Sequence, residues 1–411
     1  MLTKQSDRVR RRKAIVNMSS RRDSTKTLLI LSITAITYII WGNTPIHACG
    51  LCANPEHLIV GRVPTPTQTG GSNITSSLSG FDIVLNPNVT LSNNTAALAA
   101  FERAAANWEQ YISDPITVTI DAGFSNLGAG ILASTNPVAF AYNYDFLRGR
   151  VVTDASDEGA NDTVATLVPT SAQFNNAILP AGFNLDGALA GTKANLKALG
   201  IPNLDQEGVS DGTINFSTRF SFDYDNTDTL NTNLIDFETV ATHEIGHLLG
   251  FISSVDSIDQ GVSGAITPFT LDLFRFANGV AISDPSTLPQ FTGNARSLLT
   301  GGDSITDDVD SEFSMSTGRN KGDGRQASHW KDGDLTGGNV IGVMDPTLGA
   351  GQVVEISAAD LRALDLIGYD INYQPVPAPP AVVSLGIGGV VGLLGFGARK
   401  LRARSRRVKN K

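Results

Sequence analysis

Two histidines four residues apart with a glutamate beside the first, His243-Glu244-Ile245-Gly246-His247, are the strongest chemical signal in this 411-residue chain. On a helix, positions i and i+4 lie one turn apart on the same face, so both imidazoles can reach one tetrahedral ion. The intervening carboxylate then stands beside the ion's open position, where it can take a proton from water. The chemistry expected of such a set is metal-assisted hydrolysis, with one Zn²⁺ held by His243 and His247 and with Glu244 as the general base. A purely structural zinc site has no use for that carboxylate, which argues against a structural zinc domain.

Two ligands leave the set short of a third. Of the five histidines, His47 falls where a leader would be cleaved and His57 just before a linker, so His329 is the spare imidazole of the folded part. Asp256 competes by closeness. The 82 positions from His247 to His329 do not exclude the latter: closure entropy grows with the logarithm of length, so a connection of that size costs only about 1–2 kcal/mol more than a short one.

The paired histidines need a helix with defined ends and a face to bury. Asp236 is placed as its N-cap and Gly250 as its stop, while Phe237, Ala241, Ile245 and Leu248 form the stripe that packs on a sheet. Upstream, Phe81, Ile83 and Leu85 alternate as a strand; Leu98, Phe101, Ala105, Trp108 and Ile112 recur at helical spacing after the Asn93-Asn94-Thr95 cap signal; Ile116, Val118 and Ile120 alternate again. This is a strand–helix–strand opening. Residues 123–212 are weakly patterned and read as sheet plus loops. Phe216, residues 219–222 and Tyr224 suggest another strand. The nearby Asp223, Asp225 and Asp228 make an oxygen-rich loop without EF-hand spacing, for which a calcium site is the less favoured expectation and a solvated loop the favoured one. Leu271–Phe276, inside an insertion spanning residues 257–326, reads as a buried strand. Ser357 with Asp360 opens a last helix through Leu361, Leu364 and Ile367, ending at Gly368. The expected fold class is α+β, a twisted, mostly parallel sheet with an active-site helix.

Composition bounds the rest. With 41% hydrophobic and 17% charged residues the chain suits a sizeable folded domain. Residues 1–26 and 399–411 hold 17 of the 31 Lys/Arg but only two of the 40 Asp/Glu, so the span between carries a net charge of −24. That acidity makes nucleic acid a poor partner and suits cationic peptides better. Residues 1–48 have the order basic cluster, apolar run, small-residue site of a signal peptide, and residues 49–79 read as a linker rich in Pro, Thr, Gly and Ser. The folded domain is expected over 80–373. Residues 374–411 form a tail in which Pro375-Val-Pro-Ala-Pro-Pro380 leads to an apolar span, 381–398, and then a basic cluster. For Cys49 and Cys52, the chain's two cysteines, a local disulfide in an oxidising compartment is the favoured expectation, with a lipid-modified Cys49 or loss within the signal as the alternatives.

The run from His243 to Gly250 resembles the metzincin zinc peptidases, in which a glycine turns the chain toward a third ligand three residues on. Ser253 stands at that position here. Ala327-Ser-His-Trp330, followed by Gly342-Val-Met-Asp-Pro346, is similar to the leishmanolysin-like branch, whose third histidine is delayed by a long insertion, is followed by Trp and precedes a Met-turn. The resemblance implies His243, His247 and His329 as ligands, Glu244 as base, Met344 as the Met-turn residue, and a zinc endopeptidase acting on protein or peptide. Pro346, two residues after Met344, leaves no tyrosine to assist there. The C-terminal segment resembles a PEP-CTERM sorting tail lacking its Glu, which implies export from a Gram-negative bacterium to the cell surface or beyond, transient anchoring by the tail, and the export and sorting machinery as partners. The rival function is a catalytically inactive surface-binding or adhesion module on the same fold.

Overall fold

The computed structural model describes residues 80–373 except 158–162, 206–207, 262, 278–302 and 307–311, together with the short strands at 47–49 and 60–62. The leader, most of the linker and the whole 374–411 tail, with its apolar span and sorting motif, lie outside the described residues. Among the described residues no helix is long and apolar enough to cross a membrane.

The domain is mixed α and β. Its main sheet has the order β1 (His47–Cys49), β5 (Ile131–Pro137), β9 (Gly212–Ser217), β4 (Thr117–Ser125), β3 (Asp82–Pro87). Every neighbouring pair is parallel except β5 with β9. A second sheet joins β2 (Val60–Arg62), β6 (Ala139–Asn143) and β8 (Ala188–Thr192), and β7 (Phe183–Leu185) lies between β6 and β8 in the chain. Two segments of the expected leader and linker, His47–Cys49 and Val60–Arg62, are thus strands.

The expected strand–helix–strand opening is present. α1 (Val89–Ser92) and α2 (Thr95–Glu109) connect β3 to its parallel neighbour β4, with Asn94 capping α2 through Ala97 N–H at 3.1 Å. Between β4 and β9, where pattern was weak, the chain also forms the helices α3 (Tyr144–Asp157), α4 (Thr163–Thr166), α5 (Ser171–Phe174) and α6 (Lys193–Ala198), so the reading of sheet plus loops is incomplete. The reason lies in α3, which buries only Tyr144, Leu147, Val151 and Ala155, a narrow stripe among polar residues.

The motif helix is α7 (Phe237–Leu249), capped by Asp236 at Thr239 N–H (2.7 Å) and stopped by Gly250 at φ 125°. Asp236 ends the short parallel pair β10 (Phe222–Asp223) and β11 (Ile235–Asp236), so the cap is set by a strand register. Phe237 packs within 4.4 Å of Phe216 on β9, ring centre to ring centre. On its other flank α7 meets α2: Glu238 accepts from Arg103 Nε (2.7 Å) and Asn107 Nδ2 (2.9 Å), and Trp108 Nε1 donates to Thr242 O (2.9 Å). Sheet and α2 together leave α7 one rotational setting.

Beyond Gly250 come α8 (Val255–Asp259), β12 (Gly264–Ile266), which runs parallel to β7, and an antiparallel sheet of β13 (Arg275–Ala277), β14 (Asp303–Thr306) and β15 (Glu312–Met315). Leu271–Phe276 is not a strand throughout: Thr270–Phe274 is a 3-10 turn and only Arg275 and Phe276 enter β13. The turn forms because the Asp272 carboxylate gathers Phe269 N–H, Ser254 N–H and the hydroxyls of Ser253 and Ser254, at 2.6–2.9 Å. The last helix, α9 (Ala358–Leu366), begins with the expected Ser357–Asp360 capping box, and Gly368 follows at φ 102°.

Candidate metal centre

Along α7 the residues His243, Glu244 and His247 are all buried. His329 reaches the same place from the other end of the insertion. There the returning strand β15 hands on to an antiparallel contact in which Ser316 N–H donates to His329 O (3.0 Å) and Lys331 N–H to Ser314 O (2.8 Å). The insertion therefore delivers the third histidine rather than merely covering the surface.

The three Nε2 atoms form a nearly equilateral triangle with sides of 3.1, 3.2 and 3.2 Å. An ion bonded to three imidazoles at ~2.0–2.1 Å in tetrahedral geometry requires sides of ~3.3–3.4 Å, so the triangle fits with little adjustment. Each Nδ1 faces a backbone carbonyl: His243 on Val343 O (2.7 Å), His247 on Phe251 O (2.9 Å) and His329 on Gln326 O (3.2 Å). A carbonyl only accepts, so each Nδ1 carries the proton and each Nε2 directs a lone pair into the triangle. Three converging lone pairs repel one another; a cation between them converts that repulsion into ligation. Burial pushes the His243 imidazole down to about 4 and that of His247 well below its ordinary value, the latter with help from the adjacent His243. Both are thus neutral near pH 7, the state that binds metal.

Gly250 is needed for this geometry. Its positive φ turns the chain so that Phe251 N–H meets Gly246 O (3.1 Å) and Phe251 O comes back to His247. Gly246 allows a different approach: a methyl there would overlap the Met344 sulfur and sit 3.3 Å from Met344 Cε and Trp108 Cζ2. Met344 is fully buried, with its thioether beneath the motif helix, where it packs as an apolar group. Its turn is pinned by Asp360, which accepts from Val343 N–H (2.8 Å), Met344 N–H (3.3 Å) and Trp330 Nε1 (2.7 Å). One carboxylate of α9 thereby ties the turn at Met344 to the residue after His329.

Glu244 is held from the sheet. Thr135 Oγ1 on β5 lies 2.6 Å from Glu244 Oε2 and 2.9 Å from the Glu244 carbonyl, and Thr135 is fully buried. The carboxylate is thus tied to β5, which pairs with His47–Cys49 as well as with β9. Nothing in the sequence marks Thr135 as its partner, since the contact joins residues 109 positions apart.

Of the two candidates for third ligand, His329 joins the triangle and Asp256 does not. Among the described residues, these three histidines are the one group of His, Cys, Asp or Glu assembled closely enough to hold a metal. Asp256 instead accepts from Ala327 N–H and Ser328 N–H, and Ser253 donates to Asp272 (2.6 Å). The acidic loop does not assemble a calcium site either: Asp223 is engaged by the N–H groups of Asp225 (3.3 Å) and Asn231 (2.9 Å), and Asp225 by Thr227. Its carboxylates shape the loop's own turns.

No protein-family model matches the chain, and neither comparison with curated proteins nor comparison with solved structures finds a match.

Proposed function

We propose that this chain is a zinc-dependent endopeptidase of the metzincin type, nearest in layout to the leishmanolysin-like branch. The observation that carries the reading is the triangle of Nε2 lone pairs with Glu244 on the same helix. Three neutral nitrogens whose triangle matches three corners of a tetrahedron suit Zn²⁺. When bound, the ion polarises a carbonyl and lowers the pKa of water toward ~7.

The chain's own residues supply the remaining steps. His243, His247 and His329 hold the centre in one geometry because their Nδ1 protons are committed to carbonyls. Glu244 takes the proton of the attacking water and passes it to the leaving amine, restoring its carboxylate at the end of the cycle. Thr135 orients that carboxylate through Oε2. Protein or peptide is the substrate, and the acidic surface favours cationic segments. Export by the 1–48 leader and surface display through the 374–411 sorting tail complete the proposal.

Digestion of an unfolded protein such as casein tests it. Cleavage by the purified chain is expected to stop with a chelator and return on adding zinc. If the zinc-loaded chain cleaves nothing, the inactive binding-module reading takes its place.

A further inference from the structure

Each of the three ligand imidazoles sets its Nδ1 against a backbone carbonyl. Ligand direction therefore depends on how firmly those three carbonyls are held. Two of these are anchored already. Phe251 O follows directly from the Gly250 turn at the end of α7, and Val343 O belongs to the turn held by Asp360. Gln326 O, which holds His329, lies in an irregular turn three residues before its own ligand, with no helix to stiffen it.

That turn is gripped from α8. Asp256 Oδ1 accepts from Ala327 N–H (2.7 Å), and Oδ2 accepts from Ser328 N–H (3.0 Å) and Ser328 Oγ (2.5 Å). Ser328 Oγ in turn accepts from Ser253 N–H (2.9 Å), and Arg275 Nη1 donates to Ala327 O (3.0 Å). The N–H groups of Ala327 and Ser328 and the carbonyl of Ala327 are thus each fixed by a charged side chain. The same six-residue stretch, 251–256, carries both Phe251 O under His247 and the carboxylate that fixes the loop of His329.

Resting on the metal-centre reading above, we propose that Asp256 is the positioning residue of the third ligand, setting metal affinity by fixing the Gln326–His329 turn without touching the ion. A carboxylate is required because a single side chain must accept three hydrogen bonds from two directions. Asn offers one acceptor oxygen and would turn an amide donor toward the others; Ala offers none.

The test measures zinc affinity of the full chain by competition with a chromogenic chelator, together with the visible spectrum of the Co²⁺-loaded protein and the thermal unfolding of the metal-free form. Wild type is expected to bind one zinc and His329→Ala to lose it. Asp256→Ala is expected to weaken zinc by ~10- to 100-fold, the usual effect of removing a partner behind a ligand, with Asp256→Asn between it and wild type. The Co²⁺ spectrum should shift in both. A wild type that binds no zinc removes the metal centre itself. A wild type that binds zinc, with Asp256 variants of equal affinity and unchanged Co²⁺ spectra but lower thermal stability, overturns the positioning role alone. If Asp256→Ala does not fold, Ser328→Ala removes one of the three bonds while leaving both N–H contacts. It must weaken zinc in the same direction by a smaller factor, and unchanged affinity there and in Asp256→Asn contradicts the proposal.

Discussion

Replacing Gly246 by alanine tests the packing beneath the metal centre with one methyl group. At an exposed interior helix position this change stabilises by about 1 kcal/mol, because alanine is the better helix former. Here the added carbon would overlap the Met344 sulfur and crowd Trp108. Met344 cannot swing away freely: its side chain is fully buried, its N–H is on Asp360 (3.3 Å) and its O accepts from Trp330 N–H (3.1 Å). Overpacking of this kind costs about 1–3 kcal/mol, so the net change is a loss of roughly 0–2 kcal/mol, opposite in sign to the propensity expectation. Met344→Ala alone should cost about 2–5 kcal/mol through the cavity it leaves, but noticeably less in the Gly246→Ala background, where the new methyl fills part of it. Urea unfolding of the metal-free protein gives all four stabilities, and keeping metal out removes its linkage contribution. Stabilisation by the full ~1 kcal/mol in Gly246→Ala, or additivity of the two changes within about 0.5 kcal/mol, would refute the contact.

Thr135→Val removes the hydroxyl at 2.6 Å from Glu244 Oε2 while keeping the side chain's volume; turnover should fall and zinc content stay at one, as read by kinetics beside elemental analysis. Trp330→Phe deletes the donor to Asp360 at 2.7 Å and should cost about 1–3 kcal/mol in chemical denaturation, since the buried carboxylate keeps its desolvation without that bond. The third concerns pH. Burial, with the nearby Asp370 charge adding to it, pushes the Asp114 carboxyl up to about 7. The native state therefore holds this proton where the unfolded chain, titrating near 3.8, has released it, so the stabilisation is complete below ~4 and is lost as pH rises to ~7, by up to about 1.4 kcal/mol per pH unit. Asp114→Asn should flatten that slope and raise stability at pH 7; an unchanged pH dependence of unfolding would remove Asp114 from the account.

Legibility from the sequence followed the range of the interaction involved. The motif helix, its Asp236 cap and Gly250 stop, the Asn94 cap of α2 and the Ser357–Asp360 box depend on contacts within four residues, and pattern captures such contacts. His329 was reachable by counting histidines, because so few exist. Leu271–Phe276 misled because all six of its side chains are buried: a mostly apolar short run reports burial and says nothing of whether the backbone is extended or turned. Asp256 was visible as a carboxylate near the helix end, yet its role comes from Ala327 and Ser328, 71 and 72 positions away. Thr135 and the second duty of Asp360 at the Met344 turn are likewise products of tertiary packing, which no local period encodes.

The central claim is that three histidines hold one ion while Glu244 moves the proton. Metal content and turnover measured together on Glu244→Gln test it most directly, because the substitution keeps the side chain's shape and leaves every ligand in place. One zinc per chain with turnover reduced by ~10²- to 10⁴-fold is the predicted result. Turnover undiminished in Glu244→Gln, or a wild-type chain that cleaves protein while carrying no metal, would contradict it.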